Sequence, residues 1–384
     1  MVAPELVEHV RTTLAAQGSS PTPARVAAAL RSGGGVFGDA TVLAVVESLR
    51  RESSGAGPLD DLLSEPGVTD LLVNGPDRVY VDRGSGLERV PLRVGDEGAL
   101  RRLATRLAAA CGRRLDDATP YVDARLRDGT RFHAVLAPVA GPGTCLSFRV
   151  PPRRTFTLED LVAAGAVPAG GAAVLHDLVE ARLGFVVSGG TGTGKTTLLS
   201  SLLSLAGPGE RLVLVEDSAE LRPEHPHVVR LEARPANVEG SGEITLRDLV
   251  RQALRMRPDR LVVGEVRGAE VVDLLAAMNT GHEGGCGTLH ANSAADVPAR
   301  LEALGVAAGL GREALHSQVA SAVDAVVHLT RGRDGVRRVE EVRVLERGPD
   351  GLVRAVPAVD LGADGSVRTV AGAARLSRLL RGAA

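Results

Sequence analysis

Apolar positions change their rhythm twice along this chain. In residues 1–53 they recur at helical spacing, in Leu6, Val10 and Leu14 and again in Leu43, Val46 and Leu49, which predicts short helices. Ser32-Gly33-Gly34-Gly35 and Ser53-Ser54-Gly55-Ala56-Gly57-Pro58 punctuate them, the second as a linker. From Leu59 the pattern is mixed. VTDLLVNG and DRVYVDRG read as short strands on either side of a Gly-Pro turn, Asn74 to Asp77. A long amphipathic helix is predicted from about Glu97 to Cys111, followed by strands in YVDARLR, TRFHAVLAP and TCLSFRV, with Pro151-Pro152 closing the block. Strands, a helix, then strands again suggest a compact α+β domain.

After Thr157 strand and helix alternate: GFVVSG, TTLLSSLLSLA, RLVLVED, LRDLVRQALRM, RLVVGEV, AEVVDLLAAMNT and GGCGTLHA. These strands are continuous apolar runs, as in a parallel sheet buried on both faces. The expectation is a doubly wound α/β domain with its ligand at the carboxyl ends of the strands. Residues 324–370 read as further strands and turns, and ARLSRLLRG as a basic helical tail. No sequence repeat or heptad run is evident. The expected division is a helical appendage and linker over 1–57, an α+β domain over 58–150 and an α/β domain over 151–384.

Composition narrows the class. At 384 residues, with 44% hydrophobic and 24% charged positions, the chain reads as globular with two or three domains. Aromatic residues are only 2%, with no Trp, so the core is expected to be Leu, Val and Ala. A net charge of −2 gives no overall attraction to nucleic acid or to an anionic membrane. Cys111, Cys145 and Cys286 are far apart and in no CxxC pair, which argues against a disulfide frame or a zinc site and fits a reducing compartment. The N-terminus has no apolar signal core, and no apolar run reaches membrane-span length, so membrane association is expected only through a partner.

Candidate chemistry starts at Gly189-Gly190-Thr191-Gly192-Thr193-Gly194-Lys195-Thr196, a full G-x-x-x-x-G-K-[ST] loop between an apolar strand and a helix, with Thr197 next. Glycines let backbone N–H groups converge on phosphate oxygens, and the helix N-terminus favours an anion. Lys195 is placed to bridge the β- and γ-phosphates of ATP, and the Thr196 hydroxyl to ligate Mg²⁺. The apolar strand ending in Glu265 has the pattern of a Walker B acid acting on that metal. A second acidic strand end, Val213-Leu214-Val215-Glu216-Asp217, suits Glu216 to polarising the attacking water, the alternative being a cap or a surface ion pair. His290, in GTLHANS, is either a structural histidine or a γ-phosphate sensor; His282 has a weaker case. Arg125, Arg127, Arg131 and Arg149 are either a solvated strand face or cations that neutralise phosphate charge. The arginines of ALRMRPDR, Ala253 to Arg260, carry the same ambiguity.

Together VEDSAEL (215–221), RMRPDRLVVGEVRGAE (255–270) and MNTGHEGGCGTLHANS (278–293) resemble the Asp box, Walker B and His box of secretion-superfamily (type II/IV secretion) ATPases. DLLVNGPDRVYVDR (70–83) resembles that group's N-terminal domain. The match is closest to the tight-adherence (Tad/Flp) pilus-assembly branch and related type IV secretion ATPases, and spans about Leu59 to Thr330. The resemblance implies a RecA-like ATPase domain in a ring hexamer, nucleotide held between the two domains, and work on inner-membrane platform proteins of a pilus or secretion system. It implies Lys195 and Thr196 as phosphate and metal ligands, Glu216 as the catalytic carboxylate, Glu265 as the Walker B acid and His290 as the His-box residue. It also implies Arg125 and Arg131 as arginines that reach the nucleotide. The zinc-binding cysteines of the type II secretion and pilus-extension branches are absent, so Mg²⁺ is the only metal expected. Cys286 fits as a small buried residue where the family often has serine or alanine. A RecA-like nucleic-acid motor and a non-hydrolysing nucleotide-dependent scaffold are the alternatives. Near-neutral charge and few aromatics for base stacking weigh against the first. The intact Lys195, Thr196, Glu216 and Glu265 weigh against the second.

Overall fold

The structure, a computed structural model, describes residues 6, 9–10, 12–14, 22–32, 37–38, 41–46, 55–84, 86–126, 128–141, 143–151, 155–234, 236, 241–281, 283–332 and 334–382. Arg127, His282, Leu49, residues 33–35 and 53–54, and Pro152 lie outside them. The chain forms two compact units, Met1–Arg153 and Arg154–Ala384.

In the first unit, β1 (Asp70–Asn74), β2 (Val79–Asp82), β3 (Leu87–Val90), β4 (Tyr121–Arg125), β5 (Arg131–Val135) and β6 (Cys145–Arg149) form one sheet in the order β3-β2-β1-β6-β5-β4. Every neighbouring pair is antiparallel. Alternation along β1 and β5 turns Leu71, Val73, Phe132 and Ala134 into the core. The helix Glu97–Ala110 starts where Asp96 accepts the Ala99 N–H, and it buries Leu100, Leu103, Ala104 and Leu107 in the same cluster. Strand β3 was not foreseen, because LERV has three exposed positions and no alternation to read. A separate small cluster holds Val10, Leu14, Val26, Leu30, Val42 and Val45. Of the second group expected from sequence, Val46 packs against this cluster, whereas Leu43 is 57% exposed and Val42 and Val45 supply the buried positions.

The second unit is built on a nine-stranded sheet: β7 (Phe185–Gly189), β8 (Leu212–Glu216), β9 (Val228–Glu232), β10 (Arg260–Val266), β11 (Cys286–His290), β12 (Ala325–Arg331), β13 (Arg337–Arg347), β14 (Val353–Leu361) and β15 (Val367–Thr369). Its order is β15-β14-β13-β12-β7-β11-β10-β8-β9. Strands β12, β7, β11, β10, β8 and β9 are parallel, and β13 to β15 extend the sheet as antiparallel hairpins. The two-residue period sorts strand side chains onto two faces. Phe185, Val187, Leu212 and Leu214 enter one core with the helices Ala169–Glu180 and Lys195–Leu203. Val186, Val213, Val215 and Val263 enter the other, with the helices Leu246–Ala253, Glu270–Met278 and Arg312–Ala322. Both faces are covered, which is why these strands read as unbroken apolar runs.

One turn recurs. Asp128-Gly129, Asp334-Gly335, Asp350-Gly351 and Asp364-Gly365 each sit at the tip of a hairpin, with the glycine in the left-handed region (φ 92, 80, 78 and 85). Each glycine N–H donates three residues back, to Leu126, Gly332, Gly348 or Gly362, and each aspartate accepts the N–H two residues on. Asp-Gly is the sequence signal for each of these turns.

Candidate functional site

The loop between β7 and the helix Lys195–Leu203 lies at the carboxyl edge of the second sheet. Gly194 caps the helix at φ 97 and has no side chain to accept its first N–H groups, a helix end suited to an anion. Within the loop the Lys195 ammonium donates to the carbonyls of Gly189 (3.0 Å) and Gly190 (2.9 Å), and Thr193 Oγ1 donates to Gly190 (2.9 Å). Burial lowers the Lys195 pKa, opposed by the negative charges of Glu265 and Glu220. Thr191 and Gly192 are exposed at the tip, while Gly190, Thr196 and Thr197 are half-buried.

Acids gather on one side of the loop. Glu216 ends β8 almost fully buried; its Oε1 accepts the N–H groups of Glu220 and Leu221, both at 2.8 Å, and its buried Oε2 has no hydrogen-bond partner among the described residues. Burial raises the Glu216 pKa, partly offset by those two N–H donors. The neighbouring strand makes room for this carboxylate. A Cβ on Gly264 would lie 2.7 Å from Glu216 Cγ. Glu265, next in β10, is exposed and close enough for its charge to act on Lys195. Thr196 Oγ1 lies 3.5 Å from Glu220 Oε2. Thr288 Oγ1, buried in β11, donates to the Gly264 carbonyl at 2.6 Å and ties the two strands together.

His290 ends β11 in register with Gly189, so it stands beside the start of the loop. Asp217 takes the ion-pair alternative, with Arg267 just beyond β10 as its partner. Glu220 and Arg267 were not singled out from sequence. Glu220 lies in the VEDSAEL motif and Arg267 in VRG, but only the fold brings them to Thr196 and Asp217.

The arginines fall in two different settings. Arg125 and Arg131 are cross-strand partners beside the Asp128-Gly129 turn, and Arg131 also pairs in register with Arg149, so three cations form a row across β4, β5 and β6 of the first unit. Arg149 is 3.5 Å from Asp70. Arg260, by contrast, is not available to a phosphate. It lies at the amino end of β10, fully buried, with Glu210 at 2.7 and 3.1 Å and the Val179 carbonyl at 2.8 Å. A buried guanidinium demands such a carboxylate, which is why it sits there. The three cysteines are free, and burial pushes the Cys286 thiol up to about 12, in keeping with a small inert core residue.

Hard oxygen donors in Thr196 and Glu265, a phosphate loop and an unpartnered carboxylate oxygen fit a nucleotide carrying a divalent cation. Fold and site thus define a P-loop ATPase with a RecA-like domain. Comparison with known proteins agrees. The family model "Type II/IV secretion system protein" matches residues 52–356, and the chain belongs to that family. A putative conjugal transfer protein of Mycobacterium tuberculosis is 59% identical over 84% of this chain and 93% of its own length. The conjugal transfer protein TrbB of Rhizobium radiobacter is 32% identical over 74% of this chain and 85% of its own. The solved pilus retraction motor PilT shares the fold, with a TM-score of 0.53 at 19% identity over 84% of each chain. Among the described residues no helix is long and apolar enough to cross a membrane.

The close approach at Gly264 yields a test. Gly264→Ala should displace the Glu216 carboxylate and lower kcat by about 10²-fold, because small misplacements of a reacting group are costly. The accompanying loss of stability should be about 1–3 kcal/mol by urea unfolding. A variant with wild-type kcat would show that the position of Glu216 is immaterial.

Proposed function

We propose that this chain hydrolyses Mg-ATP as the cytoplasmic motor of a type II/IV secretion, conjugal-transfer or Tad/Flp-type pilus apparatus, acting as a homohexamer on inner-membrane platform proteins and not on nucleic acid directly. The observation that carries the reading is the complete phosphate loop with Glu216, Glu220 and Glu265 on one side of it. The loop amides and Lys195 bind the β- and γ-phosphates, with the lysine exchanging its two loop carbonyls for phosphate oxygens. Thr196 and Glu265 would hold magnesium, which when bound supplies charge neutralisation on those phosphates. Glu216, poorly solvated and with one oxygen unpartnered, orients the attacking water and takes up its proton. His290, beside Gly189, responds to the γ-phosphate. Arg125 and Arg131, cross-strand neighbours in β4 and β5, neutralise the phosphates from the smaller domain of the same or a neighbouring chain.

The names of the relatives support a role in conjugal transfer, and family membership supports secretion. The assembly is tested by phosphate release per chain against protein concentration, with molar mass by light scattering on the same samples. A rate that climbs as a six-chain species forms supports the ring. A constant rate from a monomer counts against it.

A further inference from the structure

The hairpin joining β12 to β13 abuts the phosphate loop. Leu329, near the end of β12, is in register with Gly189, and the Arg337 stem passes close to Gly194, so that a Cβ there would meet Arg337 Cδ at 3.6 Å. This hairpin is one of the four Asp-Gly turns, and the others explain most of its side chains. Arg331 Nε donates to the Gly335 carbonyl as Arg347 does to Gly351 and Arg125 to Gly129. Arg338 pairs with Asp334 as Arg354 does with Asp350. Arg337 has no such duty. It is exposed, with no hydrogen-bond or ion-pair partner among the described residues.

The residue two beyond the turn glycine is Val353 in the second turn of this sheet and Val367 in the third. There it lies opposite Arg347 or Leu361, whereas Arg337 lies opposite Arg331. Like charges directly across a ladder cost stability, so an arginine here is not a folding choice. The other turn with an arginine at this position has Arg131, proposed above to reach a phosphate.

Sheet order says which end of the nucleotide Arg337 meets. Strands β11, β10 and β8, with Glu265 and Glu216, lie on one side of β7; β12 and β13 lie on the other. If the γ-phosphate faces the acids, the phosphate chain crosses the loop and its α end emerges toward β12. We propose that Arg337 is a nucleotide ligand that holds the α-phosphate of ATP and of ADP alike. This rests on the reading of the loop as the ATP site. The guanidinium is planar, always charged and matched to phosphate oxygens, and its aliphatic stem lies along the loop backbone.

The test uses the full chain and titrates ATP and ADP into wild type, Arg337→Ala, Arg337→Lys and Arg354→Ala. Arg337→Ala should weaken both nucleotides alike, by about tenfold, the worth of one charge-assisted hydrogen bond. The KM for ATP should rise along with the dissociation constant, as expected for an interaction made equally in ground and transition states. Arg337→Lys should recover part of the loss. Arg354→Ala makes the same charge change on the next turn and should leave affinity alone. Wild-type affinity in Arg337→Ala overturns the proposal, as does a loss confined to ATP, which would put the arginine on the γ-phosphate. A wild-type chain that binds neither nucleotide removes the ATP-site reading, and this proposal with it.

Discussion

Glu216→Gln should bind Mg-ATP as tightly as the wild type and turn it over about 10²–10⁴-fold more slowly, the usual worth of a positioned general base. The substitution is close to isosteric in its setting. The amide oxygen can keep both N–H bonds from Glu220 and Leu221, and the new NH₂ falls where Oε2 has no partner. Fold and nucleotide binding should therefore survive, while the capacity to accept a proton is lost. Equilibrium titration with ATP, single-turnover phosphate release and a thermal unfolding midpoint separate these effects. Full activity in the variant would move the catalytic role to another acid, with Glu265 and Glu220 the remaining carboxylates on that side of the loop.

Lys195→Ala should lose ATP affinity by about 10²–10³-fold, the worth of one or two charged hydrogen bonds at a poorly solvated site, and turnover should vanish with it. In the structure the ammonium is folded onto the carbonyls of Gly189 and Gly190. Burial lowers its pKa, and the negative charges of Glu265 and Glu220 oppose that shift. Removing it takes the one cation out of the loop, beside the acids Glu265 and Glu220. The loss should be larger for ATP than for ADP, because the lysine bridges two phosphates only when the γ-phosphate is present. Unchanged affinity for both would sink the assignment of the loop.

Where chemistry is written in consecutive residues, it was legible. The phosphate loop needs eight residues in a row, and the strands of the second sheet announce themselves as apolar runs because both faces are covered. Strand ends could likewise be read, which located Glu216, Glu265 and His290. What could not be read is whatever depends on register or on a neighbouring strand. That His290 stands opposite Gly189, that Gly264 is vacant for Glu216, and that Glu220 turns back toward Thr196 are through-space facts. Arg260 illustrates the opposite failure. In sequence it belongs to a basic run before the Walker B strand, yet its burial beside Glu210 at the far end of β10 removes it from the site. Arg337 was invisible for a similar reason, since nothing local ties the β12–β13 turn to a loop more than a hundred residues earlier.

The central claim is that this site hydrolyses ATP by itself, with magnesium and without nucleic acid. Steady-state phosphate release from ATP by the full-length chain, with and without Mg²⁺ and with and without double-stranded DNA, tests it most directly. The account predicts steady release that requires Mg²⁺ and is indifferent to DNA. Binding of ATP without release, or release only when DNA is added, would contradict it.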